Sequence, residues 1–229
     1  MAPEVTEHLT ELRTMAKRLR GIGVTGIAAF LIIAATAALF TPAAALLILL
    51  WAWVSRTPLR SLGLYRPRSW LVAIGAGITL GIAEKLIMKA LIMPLLGAAP
   101  TNPHFSYLAG NPRAALSFAV YAIAGAGFAE ELVFRGYLLE RLEKLLGTLA
   151  WKQTISIVAS TLIFASLHYQ QGLAGIENAA ILGFVAALIY VRFGRNLWLL
   201  VAMHATFDLS ALYLIYFRLE SSVAHLIFP

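Results

Sequence analysis

The 229-residue chain has no cysteine. That excludes a thiol nucleophile, a disulfide framework and any thiolate-bound metal. Charge is scarce as well: Asp, Glu, Lys and Arg together make up 13% of the residues, and Asp208 is the single aspartate. A lone aspartate is incompatible with the two facing carboxylates of an aspartyl protease dyad. No internal repeat, low-complexity tract or second domain is legible. Acids are outnumbered by bases, 11 to 18, for a formal charge of +7. The basic residues sit in short segments between apolar stretches, which points to topology and anionic lipid headgroups and away from nucleic acid.

What is abundant is hydrophobicity: 60% of the residues are hydrophobic, and mean hydropathy is +0.80. Apolar stretches of helix-spanning length, with Gly and Pro scattered through them and no period-2 alternation, predict an all-α polytopic membrane bundle and not a barrel. Spans are predicted at about 21–40, 42–54, 70–93, 114–140, 154–170, 176–192 and 196–217, seven in all, or eight if 114–146 is two helices. The stretch 42–54 is short for a bilayer, so it is expected to be little tilted or partly re-entrant. Trp51, Trp53, Trp70, Trp151 and Trp198 fall near span ends, as interfacial anchors do.

Residues 1–20 interleave Glu4, Glu7 and Glu11 with Arg13, Lys17, Arg18 and Arg20, and place Leu9, Leu12, Met15 and Leu19 at helical spacing. This reads as an interfacial amphipathic helix ahead of a single membrane-embedded domain at 21–229. Three acids count against a signal peptide cut near "TPAAA". Positive charge sets the orientation: the N-terminal segment, the loop with Arg56, Arg60, Arg66 and Arg68, the turn with Arg141, Lys144 and Lys152, and the turn with Arg192 and Arg195 all belong on the cytoplasmic side. The segment 94–112 has no Lys or Arg and falls outside. Its prolines, Pro100, Pro103 and Pro112, suggest an ordered cap or lid.

A charge in the middle of a membrane helix costs roughly 2.5 to 3.5 kcal/mol, so such residues are candidates for function. Glu130, Glu131 and Arg135 lie on the fourth span, His168 closes "FASLH" on the fifth, and His204 and Asp208 lie in "HATFD" on the seventh. At a rise of about 1.5 Å per residue from Lys144, Lys152 and Arg195, Glu130 lies roughly 21 Å deep, His168 roughly 24 Å, His204 roughly 14 Å and Asp208 roughly 20 Å. They share one layer. Glu131 and Arg135, four apart with the acid first, are spaced for an intrahelical ion pair, as His204 and Asp208 are spaced to share a face. Glu130 lies about 100° round the helix and has no partner in its own segment, so it must take a proton or face a polar cavity with His168 and His204. A carboxylate, two imidazoles and a further carboxyl around such a cavity suit water activation and attack on a polarised carbonyl. A polar cluster joining helices and a proton or ion pathway are the other readings of the same residues.

Read in order, "EELVFR", "FASLH" and "HATFD" are E-E-x-x-x-R, F-x-x-x-H and H-x-x-x-D. They resemble the CAAX prenyl protease and bacteriocin-processing (CPBP) family of intramembrane peptidases, whose members include type II CAAX prenyl endopeptidases and bacteriocin-immunity proteins. The motif core spans 128–208, and "LRSLGLYRPR" resembles the family's lead-in. The resemblance implies a multi-pass endopeptidase of the cell membrane whose site opens to the cytosol and which cleaves near the C-terminus of membrane-associated or lipidated proteins. It implies that Glu130, together with His168, is the general base for water, that His204 and Asp208 polarise the carbonyl, and that Glu131 and Arg135 act in support.

Asp208 occupies a position where the family pattern allows Asn or Asp. An ionised Asp cannot donate to an oxyanion, so it must be protonated, orient and charge His204, or ligate a metal. No cofactor is the first expectation. Zinc on Glu130, His168, His204 and Asp208 is the alternative, although HExxH is absent because Ala205 follows His204. Ser160, Ser166 and Ser210 read as packing residues and not as a nucleophile. A silent scaffold or immunity factor of the same fold and a small transporter are the readings outside catalysis; without evident inverted repeats the latter is disfavoured. His8, His104 and His225 read as incidental, Glu84, Lys85 and Lys89 as pairing at helical spacing, and Glu177 and Asn178 as cap residues. Oligomeric state is not legible.

Overall fold

A computed structural model describes residues 3–228, which are mostly helical with no strand among them. The helices are α1 (Pro3–Arg20), α2 (Val24–Leu39), α3 (Thr41–Val54), α4 (Trp70–Leu95), α5 (Pro112–Leu145), α6 (Lys152–Ser166), α7 (Gly172–Arg192), α8 (Leu197–Tyr216) and the short α9 (Glu220–Ala224).

Each of the seven expected apolar stretches falls on a helix, yet fewer are long and apolar enough to cross a bilayer. Four qualify: Trp70–Leu95, Pro112–Leu145, Tyr169–Arg192 and Leu197–Tyr216. A fifth is gained if Thr10–Arg20 and Val24–Leu39, bent by 58°, form one span. Among the described residues the helices thus give four or five candidate spans, and the seven-to-eight count is not confirmed. Helix α3 has 14 residues, about 21 Å at the α-helical rise, short of a hydrocarbon core of roughly 30 Å. Helix α6 has 15 residues and opens with Lys152, Gln153 and Thr154. The stretch 114–146 is not two helices but part of one 34-residue helix. At the N-terminus α1 is a helix; the side chains of Glu4 and Leu9 lie outside the described residues.

Helices α4 and α8 run parallel and in close contact, beginning side by side with Trp70 and Trp198 ring centroids 5.4 Å apart. Ser69 and Asn196 cap their first turns, accepting from the backbone N–H groups of Val72 and Trp198. Gly77 and Gly81, four apart, make the approach possible. A Cβ on Gly77 would lie 2.5 Å from the Leu199 carbonyl, and one on Gly81 would press on the Met203 carbonyl and lie 2.9 Å from the Phe207 nitrogen. This is close packing of a small-xxx-small pair against a neighbouring backbone.

The loops gather at two ends. At the first, the Leu197 N–H donates to the Gly63 carbonyl (3.0 Å), Gly63 itself having φ +80°. The Tyr65 hydroxyl donates to Gly194, and the Asn196 amide to Tyr65 (2.9 Å). Arg195 pairs with Glu143 at 2.6 Å. Arg141, 5% exposed, donates to the carbonyls of Arg20 and Gly21 at 2.9 and 2.7 Å. Trp51 is therefore not a lipid-facing anchor: it is buried against Tyr137, with ring centroids 5.0 Å apart, and its indole N–H donates to Leu19.

At the second end the Asn102 amide donates to Gln171 (3.1 Å) and the Gly110 N–H to Tyr216 (3.1 Å). Lys89 bridges to Glu220 (3.1 Å) and to the Pro100 carbonyl. The segment 96–111 is ordered as expected: Pro103–Leu108 forms a 3-10 turn, and buried Leu108 clusters with Leu212 and Ile215.

Candidate active site

The middle of α5 is wound as a π-helix over Ala122–Glu130 and again over Leu132–Leu138. Such widenings are uncommon and recur at functional sites. At 3.6 residues per turn, residues nine apart face opposite ways. The wider winding brings Tyr121 and Glu130 to one side, where the tyrosine hydroxyl donates to Glu130 Oε1 at 3.0 Å. Tyr121 was not singled out from the sequence, because the α-helical period hides it.

Glu131 faces away from the cavity and is fully buried. Its Oε1 accepts from Arg135 Nη1 at 2.8 Å, the ion pair expected from their spacing. The same oxygen lies 2.7 Å from His204 Nδ1. Glu131 thus does more than neutralise Arg135. A carboxylate accepts, so the imidazole proton sits on Nδ1, and the ring is fixed with Nε2 pointing elsewhere. Arg135, 1% exposed, is completed by the Gly183 carbonyl at 3.0 Å and by the Phe164 ring, 4.8 Å from its guanidinium carbon.

His204 Nε2 has Glu130 Oε2 on one side and Asp208 Oδ2 on the other, each 3.9 Å away. Glu130 Oε2 has no hydrogen-bond partner among the described residues. The structure therefore brings Glu130, His204 and Asp208 together around one imidazole nitrogen.

His168 stands just beyond the end of α6, not on it. Its Nδ1 lies 2.8 Å from the Phe164 carbonyl, one of the carbonyls a helix leaves unpaired at its C-terminus. A carbonyl only accepts, so this nitrogen carries the proton and Nε2 is left free. The Phe164 ring packs against His168 (4.7 Å), His204 (6.0 Å) and Phe134 (4.9 Å). The aromatic residue of F-x-x-x-H is the plate that spaces both histidines and the arginine.

Glu130, His168, His204 and Asp208 line a cavity of about 580 Å³. Its walls include Met88, Phe118 and Leu214, and its outer part is formed by Asn102, Phe105 and Glu220. His104 and Asn178, read from sequence as incidental and as a cap, also line it. Asn178 does not cap α7, because that helix starts earlier, at Gly172.

The expected pairing within Glu84, Lys85 and Lys89 does not occur. Lys85 and Lys89, four apart, share the cavity face; Lys89 is taken by Glu220, and Lys85 lies over the Phe207 ring at 3.8 Å. Glu84, one residue round the helix, keeps both carboxyl oxygens buried without a hydrogen-bond partner among the described residues. For zinc, no group of three His, Asp or Glu side chains among the described residues is spaced as a metal-ligand set.

The family model described as type II CAAX prenyl endopeptidase Rce1-like matches residues 111–210, a little under half of the chain. That bears out the resemblance carried by the three motifs, all of which fall inside the matched stretch. With the apolar helices, the match supports a multi-pass membrane protein, and the family is one of CAAX-type intramembrane proteases. No curated protein and no solved structure matches.

Proposed function

We propose that the protein is an endopeptidase of the cell membrane that hydrolyses a peptide bond of membrane-associated or lipidated protein substrates, with Glu130 as general base. The observation that carries this reading is the division of labour at His204: Glu131 holds Nδ1 at 2.7 Å, which leaves Nε2 facing the free oxygen of Glu130 across 3.9 Å.

In the proposed reaction a water molecule between Glu130 and His168 gives a proton to the Glu130 carboxylate as its oxygen bonds to the scissile carbonyl carbon. His168, fixed through Nδ1, orients that water with Nε2. Charge then develops on the carbonyl oxygen, and a protonated His204 Nε2 donates to it, its ring already set by Glu131. Asp208 serves by placing negative charge beside Nε2, which favours the protonated imidazole; it need not donate itself. When the C–N bond breaks, Glu130 passes its proton to the leaving amine. No step is routed through a metal.

Cleavage of a quenched farnesylated peptide by purified protein tests the proposal. Glu130→Ala and His168→Ala are expected to lose cleavage, and wild type to retain it in chelator. Undiminished cleavage by Glu130→Ala would remove the general base, and loss in chelator with rescue by zinc would replace this mechanism with a metal-dependent one. A protein that never cleaves yet binds the peptide in the cavity would be the scaffold of the alternative reading.

A further inference from the structure

The two ends of the bundle differ in charge and in access. Apart from Arg135 in mid-helix, Lys85 and Lys89 on the cavity wall, and Arg113 and Arg218 near the second end, all Lys and Arg residues lie in segments or helix ends that run into the first end, where Gly63, Tyr65, Arg141 and Arg195 are tied by hydrogen bonds and an ion pair. The cavity shares no lining residue with those segments. It is bounded instead by Asn102, His104 and Tyr107 of the 96–111 segment, by Gln171 of the turn before α7, and by Glu220 and Ala224 of α9. All of these gather at the second end, as the Asn102–Gln171, Gly110–Tyr216 and Lys89–Glu220 contacts require.

Short basic segments flanking spans stay on the cytoplasmic side. The end that carries them here is the closed one. The orientation set by charge and the cytosolic opening implied by the family resemblance are thus incompatible in this molecule.

We infer that the cavity is entered from the non-cytoplasmic side, and that it takes peptide segments of exported or membrane-anchored proteins exposed there. The substrate class rests on the peptidase reading above; the sidedness rests on charge and geometry alone. A chain arriving from that side passes the 96–111 segment before it meets Glu130, with apolar wall from Phe105, Phe118, Met88 and Leu214 and polar groups from Asn102 and Asn178 along the way. A lipidated terminus held at the cytoplasmic surface would meet the tied end.

Because the chain has no cysteine, single cysteines report sidedness without background. In intact cells, a membrane-impermeant maleimide is expected to label Ser106→Cys on the exposed loop and Ser117→Cys in the cavity wall. Thr148→Cys, exposed at the basic end, is expected to be silent until the membrane is permeabilised. The reverse pattern, or labelling of all three in intact cells, would overturn the inference. So would labelling at Ser106→Cys with a silent Ser117→Cys. If Ser117→Cys does not accumulate, Ala174→Cys on the facing wall takes its place. Labelling does not depend on cleavage, so outward labelling of a protein inactive in detergent would remove the peptidase reading and leave the sidedness standing.

Discussion

Glu130 and Glu131 are adjacent in the chain and occupy opposite chemical settings. On the Glu131 side the ionic contacts converge away from the cavity: Arg135 and His204 share Oε1, Gly183 completes the guanidinium and Phe164 covers it, while Oε2 is buried without a hydrogen-bond partner among the described residues. On the Glu130 side one oxygen is held by Tyr121, and the other has no hydrogen-bond partner among the described residues as it faces His204 across 3.9 Å. The difference separates the cost of placing charge in an apolar bundle from its use. One carboxylate makes burial tolerable by pairing; the other is left available to a reacting molecule.

The contrast can be broken most severely on the paired side. Arg135→Ala strands a buried carboxylate, and breaking such a pair costs about 3 to 5 kcal/mol. Thermal unfolding in detergent should show a greatly lowered midpoint, with cleavage lost alongside the fold. Glu130→Gln should act the other way round: cleavage falls by about 10²- to 10⁴-fold, the range for a lost general base, while the unfolding midpoint stays at or above wild type. If both variants lose stability equally, the two settings are not distinct.

Tyr121→Phe should be milder. It removes one hydrogen bond to a carboxylate, worth about 1.5 to 3 kcal/mol, and the proposal places that loss mainly in kcat, with KM little changed. A change in KM alone would make Tyr121 a substrate contact instead. Smallest of all, Arg195→Ala deletes a partly exposed ion pair with Glu143, 35% and 15% exposed, of a kind worth roughly 0 to 1 kcal/mol. Its stability should scarcely move, which sharpens the contrast between a paired charge in the core and one at the rim.

Local periodicity made part of this legible in the sequence. The four-residue spacing of Glu131 and Arg135 gave their pair, and that of His204 and Asp208 gave a shared face. Counting helical rise from basic boundary residues placed the ionisable groups in one layer. What stayed hidden depended on geometry that spacing does not encode. His168 stands past the end of its helix, because its ring turns back to a carbonyl that the helix leaves unpaired. Lys89 finds Glu220 across 131 positions, and Trp51 is claimed by Leu19 and Tyr137. The span count went beyond the four or five candidate spans because hydropathy marks apolar stretches and does not measure how long α3 and α6 are.

The wide winding of α5 bears on any attempt to edit this helix. A wheel drawn at about 100° per residue sends Tyr121 and Glu130 to opposite sides, although they touch. Positions two turns or more apart, chosen from such a wheel between 122 and 138, would be assigned to the wrong wall, although near neighbours such as Glu131 and Arg135 still meet. For the same reason a one-residue deletion there would do more than shorten the helix. By allowing it to tighten, the deletion would change the phase of everything before it relative to everything after. The angular address of the two acids is set by the bore of the helix that carries them.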